Sequence, residues 1–124
     1  MNLLLDSHVF VWWCEGSRKL SRQTRDTVAA PANMVHVSLV TAWELGIKEA
    51  LGRLRLPEPF EAMLDRAGFA LLPIEMDHVR RVTRLPFHHR DPFDRMLVAQ
   101  AQHEGFVLVS ADPHIARYNV SVLA

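Results

Sequence analysis

Short runs of apolar and β-branched residues alternate along this chain with longer segments of helical period, and that alternation most limits how it can fold. The runs are LLL near the start, MVHVSLV, FALLPI, GFVLVS, and NVSVL near the end. Near-continuous apolar stretches of this kind suit strands buried on both faces. Between them lie HVFVWWCEG, ended by Gly16; SRQTRDTVAA, opened by Ser21 and stopped before Pro31; TAWELGIKEALGRL; PEPFEAMLDRAG, running from a proline to a glycine; MDHVRRVTRL, closed by Pro86; RDPFDRMLVAQA; and the short DPHIARY. These segments carry helix start and stop residues, and helices between strands supply the crossovers that parallel strands need. The expected fold is α/β: a three-layer α/β/α sandwich around a mainly parallel sheet of about five strands. The 124 residues contain no repeat, low-complexity tract or linker, so residues 1–124 are expected to form one domain. In TAWELGIKEALGRL, Val40 precedes Trp43, Ile47 and Leu51 at the spacing of one helix face, expected to turn toward the core.

Composition removes several classes of function. Hydrophobic residues make up 49% of the chain, which excludes a disordered tail, while VFVWWC and similar runs are far too short to span a bilayer. No charged lead-in of a secretory signal precedes them, and the single cysteine, Cys14, rules out an internal disulfide. Both features fit a cytoplasmic protein, with Cys14 expected as inert core. Net charge is zero, so bulk charge does not drive nucleic-acid binding. Of the 14 basic residues only Lys19 and Lys48 are lysines. Arginine grips phosphate bidentately, although a GC-rich genome gives the same bias.

Four acids fall where such a sheet binds ligands, beyond the carboxyl ends of its strands. Asp6 ends the first run and Asp112 follows the fourth; Glu44 lies shortly after the second, and Asp94 opens the helix leading into the fourth. Asp6-Ser7, Asp91-Pro92 and Asp112-Pro113 also have the signature of helix caps. Asp91 is explained by its cap. Asp94 shares a helix face with Leu97, Val98 and Ala101, and Glu44 sits in an apolar stripe, where a carboxylate needs a partner. Lys48, four residues after Glu44, offers only a few tenths of a kcal/mol as a surface pair. Separate structural roles do not predict a shared location for the four acids. A hard divalent cation, Mg²⁺ or Mn²⁺, does, because converging carboxylates raise each other's pKa without one.

Other patterns are weaker. The seven histidines show no zinc-binding spacing, and neither a nucleophile elbow, a Walker A loop nor a dinucleotide fingerprint is present. His36 is expected to be structural, and Trp12, Trp13 and Trp43 to be core or subunit-interface residues. The stretch from His78 to Arg90 holds four arginines, three histidines and no acid. Within it Arg80, Arg81 and Arg84 suit a solvated helix face, whereas Arg90, with Arg95 beyond, flanks the acids and is placed to hold a phosphate backbone.

With these residues in hand, the sequence resembles the PIN-domain ribonucleases, specifically the VapC toxins of type II toxin–antitoxin modules. The resemblance rests on LLLDSHVFVWW, VTAWELGIK, RDPFDRMLVAQA and LVSADPHI, in that order along the whole chain. It implies that Asp6, Glu44, Asp94 and Asp112 coordinate one or two divalent metals, Mg²⁺ or Mn²⁺, and carry catalysis, with Asp112 acting directly or through water. It matches Asp94 to the acid heading DRMLVA, and Ser110 to a hydroxyl that bonds a ligand carboxylate or metal water. It further implies hydrolysis of single-stranded or structured RNA that inhibits translation, with no histidine base, together with a homodimer and a small antitoxin whose tail covers the acidic site. A haloacid-dehalogenase-type phosphohydrolase is disfavoured because Asp6-Ser7-His8 lacks D-x-D, and a receiver-type phosphoacceptor because no late strand ends in lysine. A non-catalytic RNA-binding or dimerisation module on a PIN scaffold, and a PIN nuclease outside any toxin–antitoxin pair, remain alternatives.

Overall fold

The first strand, β1 (Asn2–Leu5), becomes the middle of the molecule because its three leucines leave no face for water: Leu3, Leu4 and Leu5 are all fully buried. The computed structural model describes residues 1–123. Along the chain follow α1 (Ser7–Glu15), α2 (Arg22–Ala29), β2 (Met34–Ser38), α3 (Leu39–Ala50), α4 (Phe60–Ala67), β3 (Ala70–Leu72), α5 (Met76–Val82), α6 (Pro92–Glu104), β4 (Val107–Val109), a 3₁₀ turn (Ile115–Arg117) and β5 (Val122–Leu123). The strands form one sheet in the order β3-β2-β1-β4-β5 with every pairing parallel. Side chains alternate across β1. Leu3 and Leu5 join Phe10, Val37, Leu45 and Met63 on one side, while Leu4 joins Val98, Leu108 and Ile115 on the other. The expected three-layer sandwich is therefore observed, and among the described residues no helix is long and apolar enough to cross a membrane.

The order places the functional end. The chain steps outward from β1 to β2 to β3, then returns through α5 and α6 to add β4 on the opposite flank of β1. The direction reverses between β1 and β4, and in open α/β sheets ligands bind beyond the carboxyl ends of strands at such a point, here at Asp6 and Ser110.

Two expectations need correction. The second strand stops at Ser38, whose hydroxyl accepts the Val40 N–H at 3.0 Å and starts α3 at Leu39, inside the run read as strand. The expected inward stripe of α3 also splits. Val40 turns in with Thr41, Glu44 and Leu45, whereas Trp43, Ile47 and Leu51 face solvent, Trp43 at 62% exposure. An apolar stripe lies on either side of this helix, and only its docking on the sheet decides which is core.

Candidate metal centre

Asp6 and Asp94 stand at the ends of elements, Asp112 lies just beyond one, and Glu44 comes from the middle of α3. Asp6 follows β1, where its N–H donates to Val109 O at 3.1 Å and extends the β1–β4 ladder by one bond. Its carboxylate caps α1 by accepting from Val9 N at 2.8 Å, and Ser110 adds a side-chain hydrogen bond. Burial raises the Asp6 pKa above its usual range, with the Glu44 charge contributing; the hydrogen bonds from Ser110 and Val9 and the His8 charge oppose this. Cap and site residue are thus the same side chain.

Glu44 projects from the inner side of α3 at 6% exposure. Lys48, one turn on, pairs with its Oε2 at 2.9 Å, while Oε1 is buried and has no hydrogen-bond partner among the described residues. Asp94 stands in the first turn of α6, which Asp91 caps by accepting from Phe93 N at 2.8 Å and Asp94 N at 3.1 Å. Asp91 is therefore the cap, as expected. Desolvation, then the charges of Asp91, Asp6 and Glu44, push the Asp94 carboxyl up to about 7, and His89 pulls the other way. Asp6, Glu44 and Asp94 thus share one electrostatic environment, although they come from three elements.

Asp112 lies farther out. Ser110 Oγ accepts its N–H at 3.1 Å, and its Oδ1 accepts the His114 N–H at 2.8 Å, an Asx turn leading into the 3₁₀ segment. Its pKa is lowered: desolvation would raise it, but hydrogen bonds from His114 and the nearby His89 prevail. The link to the other acids is a residue that the sequence reading passed over. His89 Nε2 lies 3.0 Å from Asp94 Oδ2 and 3.0 Å from Asp112 Oδ2. The resemblance implies no histidine base; His89 nonetheless lies within hydrogen-bond distance of two of the four acids.

A family model described as PIN domain matches residues 3–120. The chain belongs to the PIN-domain family. This PIN domain is similar in structure to VapBC2 from Rickettsia felis bound to a promoter DNA fragment, at 14% identity and a TM-score of 0.74, covering 99% of this chain and 98% of that one. It is similar to DNA-bound VapBC from Salmonella typhimurium, at 15% identity and a TM-score of 0.67, covering 99% and 97%. It is also similar to VapBC-5 from Mycobacterium tuberculosis, a member of the VapBC toxin–antitoxin family, at 22% identity and a TM-score of 0.62, covering 98% and 95%. At these identities the likeness is one of fold. No curated protein matches the sequence.

The acids of this PIN domain suit a hard cation. Glu44 Oε1 is a desolvated carboxylate oxygen without a donor among the described residues, and desolvation followed by neighbouring negative charge raises the Asp94 pKa; a divalent ion bound by oxygens would relieve both. Among the described residues the groups whose ligand atoms lie within 4.8 Å of one another are different ones: His89, Asp112 and His114, and Glu75, His78 and Glu104. Neither fits a metal. In the first, His89 Nδ1 accepts the Arg90 N–H at 3.1 Å; in the second, His78 Nδ1 accepts the Glu75 N–H at 3.0 Å. An accepting Nδ1 puts the ring hydrogen on Nε2, which is then a donor and not a ligand.

The flanking arginines separate. Arg90 is exposed beside the centre. Arg95, expected to grip phosphate, instead turns inward at 7% exposure: Nη1 donates to Pro86 O and Tyr118 Oη, Nη2 to Val82 O and Leu85 O. Arg80, Arg81 and Arg84 line a groove of about 700 Å³ with Gln102, His103 and Asn119, away from all four acids.

Cys14 is on the surface of α1, not in the core. Desolvation by packed neighbours, then the charges of Glu58 and Glu15, push its thiol up to about 11. At pH 8 that leaves roughly one thiolate in a thousand, against about a quarter for a free thiol of pKa 8.5. Cys14 is expected to react with a chromogenic disulfide about two orders of magnitude more slowly than glutathione; comparable rates would contradict this environment.

Proposed function

We propose that this PIN domain is a metal-dependent endoribonuclease that cuts single-stranded or structured RNA, acting as the toxin of a toxin–antitoxin pair and thereby inhibiting translation. The observation that carries the reading is Glu44 Oε1, buried without a hydrogen-bond partner among the described residues, and it is supported by the charges of Asp6 and Glu44 acting on Asp94 near the β1–β4 switch point. The similarity in fold to solved toxin–antitoxin complexes supports a small antitoxin as partner, and a homodimer is the working form in this reading.

In this reading Asp6, Glu44 and Asp94 hold Mg²⁺ or Mn²⁺, with Asp112 at the margin. When bound, the ion supplies Lewis acidity, lowering the pKa of a water and neutralising charge on the scissile phosphate. The protein's part is to aim the carboxylates. Ser110 fixes Asp6 from one side and the Val9 N–H from the other, so its carboxylate cannot rotate freely. Lys48 holds Oε2 of Glu44 and leaves Oε1 turned inward. Asp94, a carboxyl of raised pKa, would hold a cation in its ionised form, so occupancy would be favoured above neutral pH. Arg90, exposed next to the acids, is positioned to take a neighbouring phosphate of the strand.

The test is cleavage of mixed labelled RNAs by purified protein freed of any co-purified antitoxin, with Mn²⁺ or Mg²⁺. Cleavage is expected to stop in EDTA and to fall at least a hundredfold in Asp94→Asn. Cleavage unchanged by EDTA and by the substitution would refute the nuclease site.

A further inference from the structure

His89 lies in the connection between α5 and α6, outside any regular element, yet its ring is fixed from several directions. Its own N–H donates to Tyr118 Oη at 3.0 Å, and Tyr118 is a buried residue that also receives Arg95 Nη1 at 3.0 Å. The ring stacks on His114 with centroids 4.9 Å apart and planes 23° apart. Arg90 N donates to Nδ1, so the ring hydrogen sits on Nε2 and points at the two carboxylates.

We infer that His89 is a positioning residue of the centre: through its Nε2–H it ties Asp94, on α6, to Asp112, on the segment after β4, and sets the orientation of both. The inference rests on the metal-nuclease reading above. These two acids come from elements with independent backbones, and His89 is the side chain whose hydrogen bonds join them. Asp112 needs such a tie most. Its backbone belongs to an irregular segment, its Oδ1 is taken by the local turn to His114, and its Oδ2 faces His89. The bond to Asp94 engages Oδ2 and leaves Oδ1 for a cation. Hydrogen-bond partners of this kind, standing behind metal ligands, characteristically contribute 10–100-fold to metal affinity.

The alternative is that His89 merely pins the 86–91 connection, in which case its loss lowers stability and leaves metal affinity alone. Calorimetric titration with Mn²⁺ at pH 8 of the full chain separates the two, using wild type, His89→Ala, His89→Gln and Asp94→Asn. Gln can place an amide N–H near the position of Nε2, whereas Ala supplies no donor. The expected result is a 10–100-fold weaker Kd in His89→Ala, recovery to within about threefold of wild type in His89→Gln, and loss of binding in Asp94→Asn. If Asp94→Asn loses binding but His89→Ala stays within threefold of wild type, or if Gln is as weak as Ala, the positioning role is overturned while the metal site stands. If Asp94→Asn binds as wild type does, the metal site itself fails.

Discussion

Asp94→Asn is expected to make the metal-free protein more stable at pH 8 while removing its activity. The carboxyl at this position is raised from 3.8 to about 7 by desolvation and by Asp91, Asp6 and Glu44. A raised folded-state pKa means that the native protein binds this proton more tightly than the unfolded chain. The group's contribution to stability is thus fully present below pH 3.8 and is lost as pH rises toward 7. A shift of this size corresponds to at most about 4 kcal/mol above neutrality, and relaxation around a coupled cluster brings it to roughly 1–3. Asn keeps the shape and an oxygen for the His89 N–H but cannot ionise. Thermal melts in EDTA should therefore show the variant ahead of wild type at pH 8 and nearly level with it by about pH 3.5, where Asp94 is largely protonated in both folded and unfolded states. Saturating Mn²⁺ should then reverse the order. At a hundredfold excess over Kd, wild type gains about 2.7 kcal/mol by mass action and the variant almost nothing. A variant less stable than wild type at pH 8 would mean that Asp94 is satisfied without a cation.

The same balance explains which parts of the protein were readable from the order of its residues. The strands and their burial follow from LLL and the other apolar runs, and the Asp91 cap follows from its proline. The acids were picked out by position, at strand ends or on an inward helix face, although Asp6 also caps α1 and Asp112 also closes a local turn. Trp43, Ile47 and Leu51 misled for a definite reason: α3 is apolar on two sides, and periodicity reports a stripe without saying which surface it meets. Glu44 kept its place only because it neighbours Leu45 and Thr41 on the buried side. His89 was hidden because it belongs to no periodic element. Its position is set by Tyr118, distant in sequence and brought near only when the segment after β4 closes over α6. The one signal available was the acid-free run of histidines and arginines leading into Asp91 and Asp94.

Arg95 shows how far a single step along a helix can carry a side chain from the chemistry beside it. Asp94 faces the crevice; the next residue is turned by about 100° and enters the space beneath the α5–α6 connection. There its guanidinium, stacked 4.3 Å from the Phe87 ring centroid, holds the carbonyls of Val82, Leu85 and Pro86 and the Tyr118 hydroxyl. Arg95→Met retains most of the stem but leaves those acceptors without their donor, at about 1 kcal/mol or more each. The expected loss is roughly 3–5 kcal/mol of unfolding free energy by urea denaturation, and Arg95→Lys should restore only a minor part, because an ammonium lacks the planar fork. A phosphate-binding arginine would behave differently. Its loss would leave stability within about 0.5 kcal/mol and would reduce the salt dependence of RNA binding by about one charge. Because Arg95 holds Tyr118 and Tyr118 holds the His89 backbone, Arg95→Met should also weaken Mn²⁺ binding. Combined with His89→Ala it should add little further loss of affinity, since both act through the same carboxylates. Additive losses in that pair would mean that the connection and the imidazole reach the acids by separate routes.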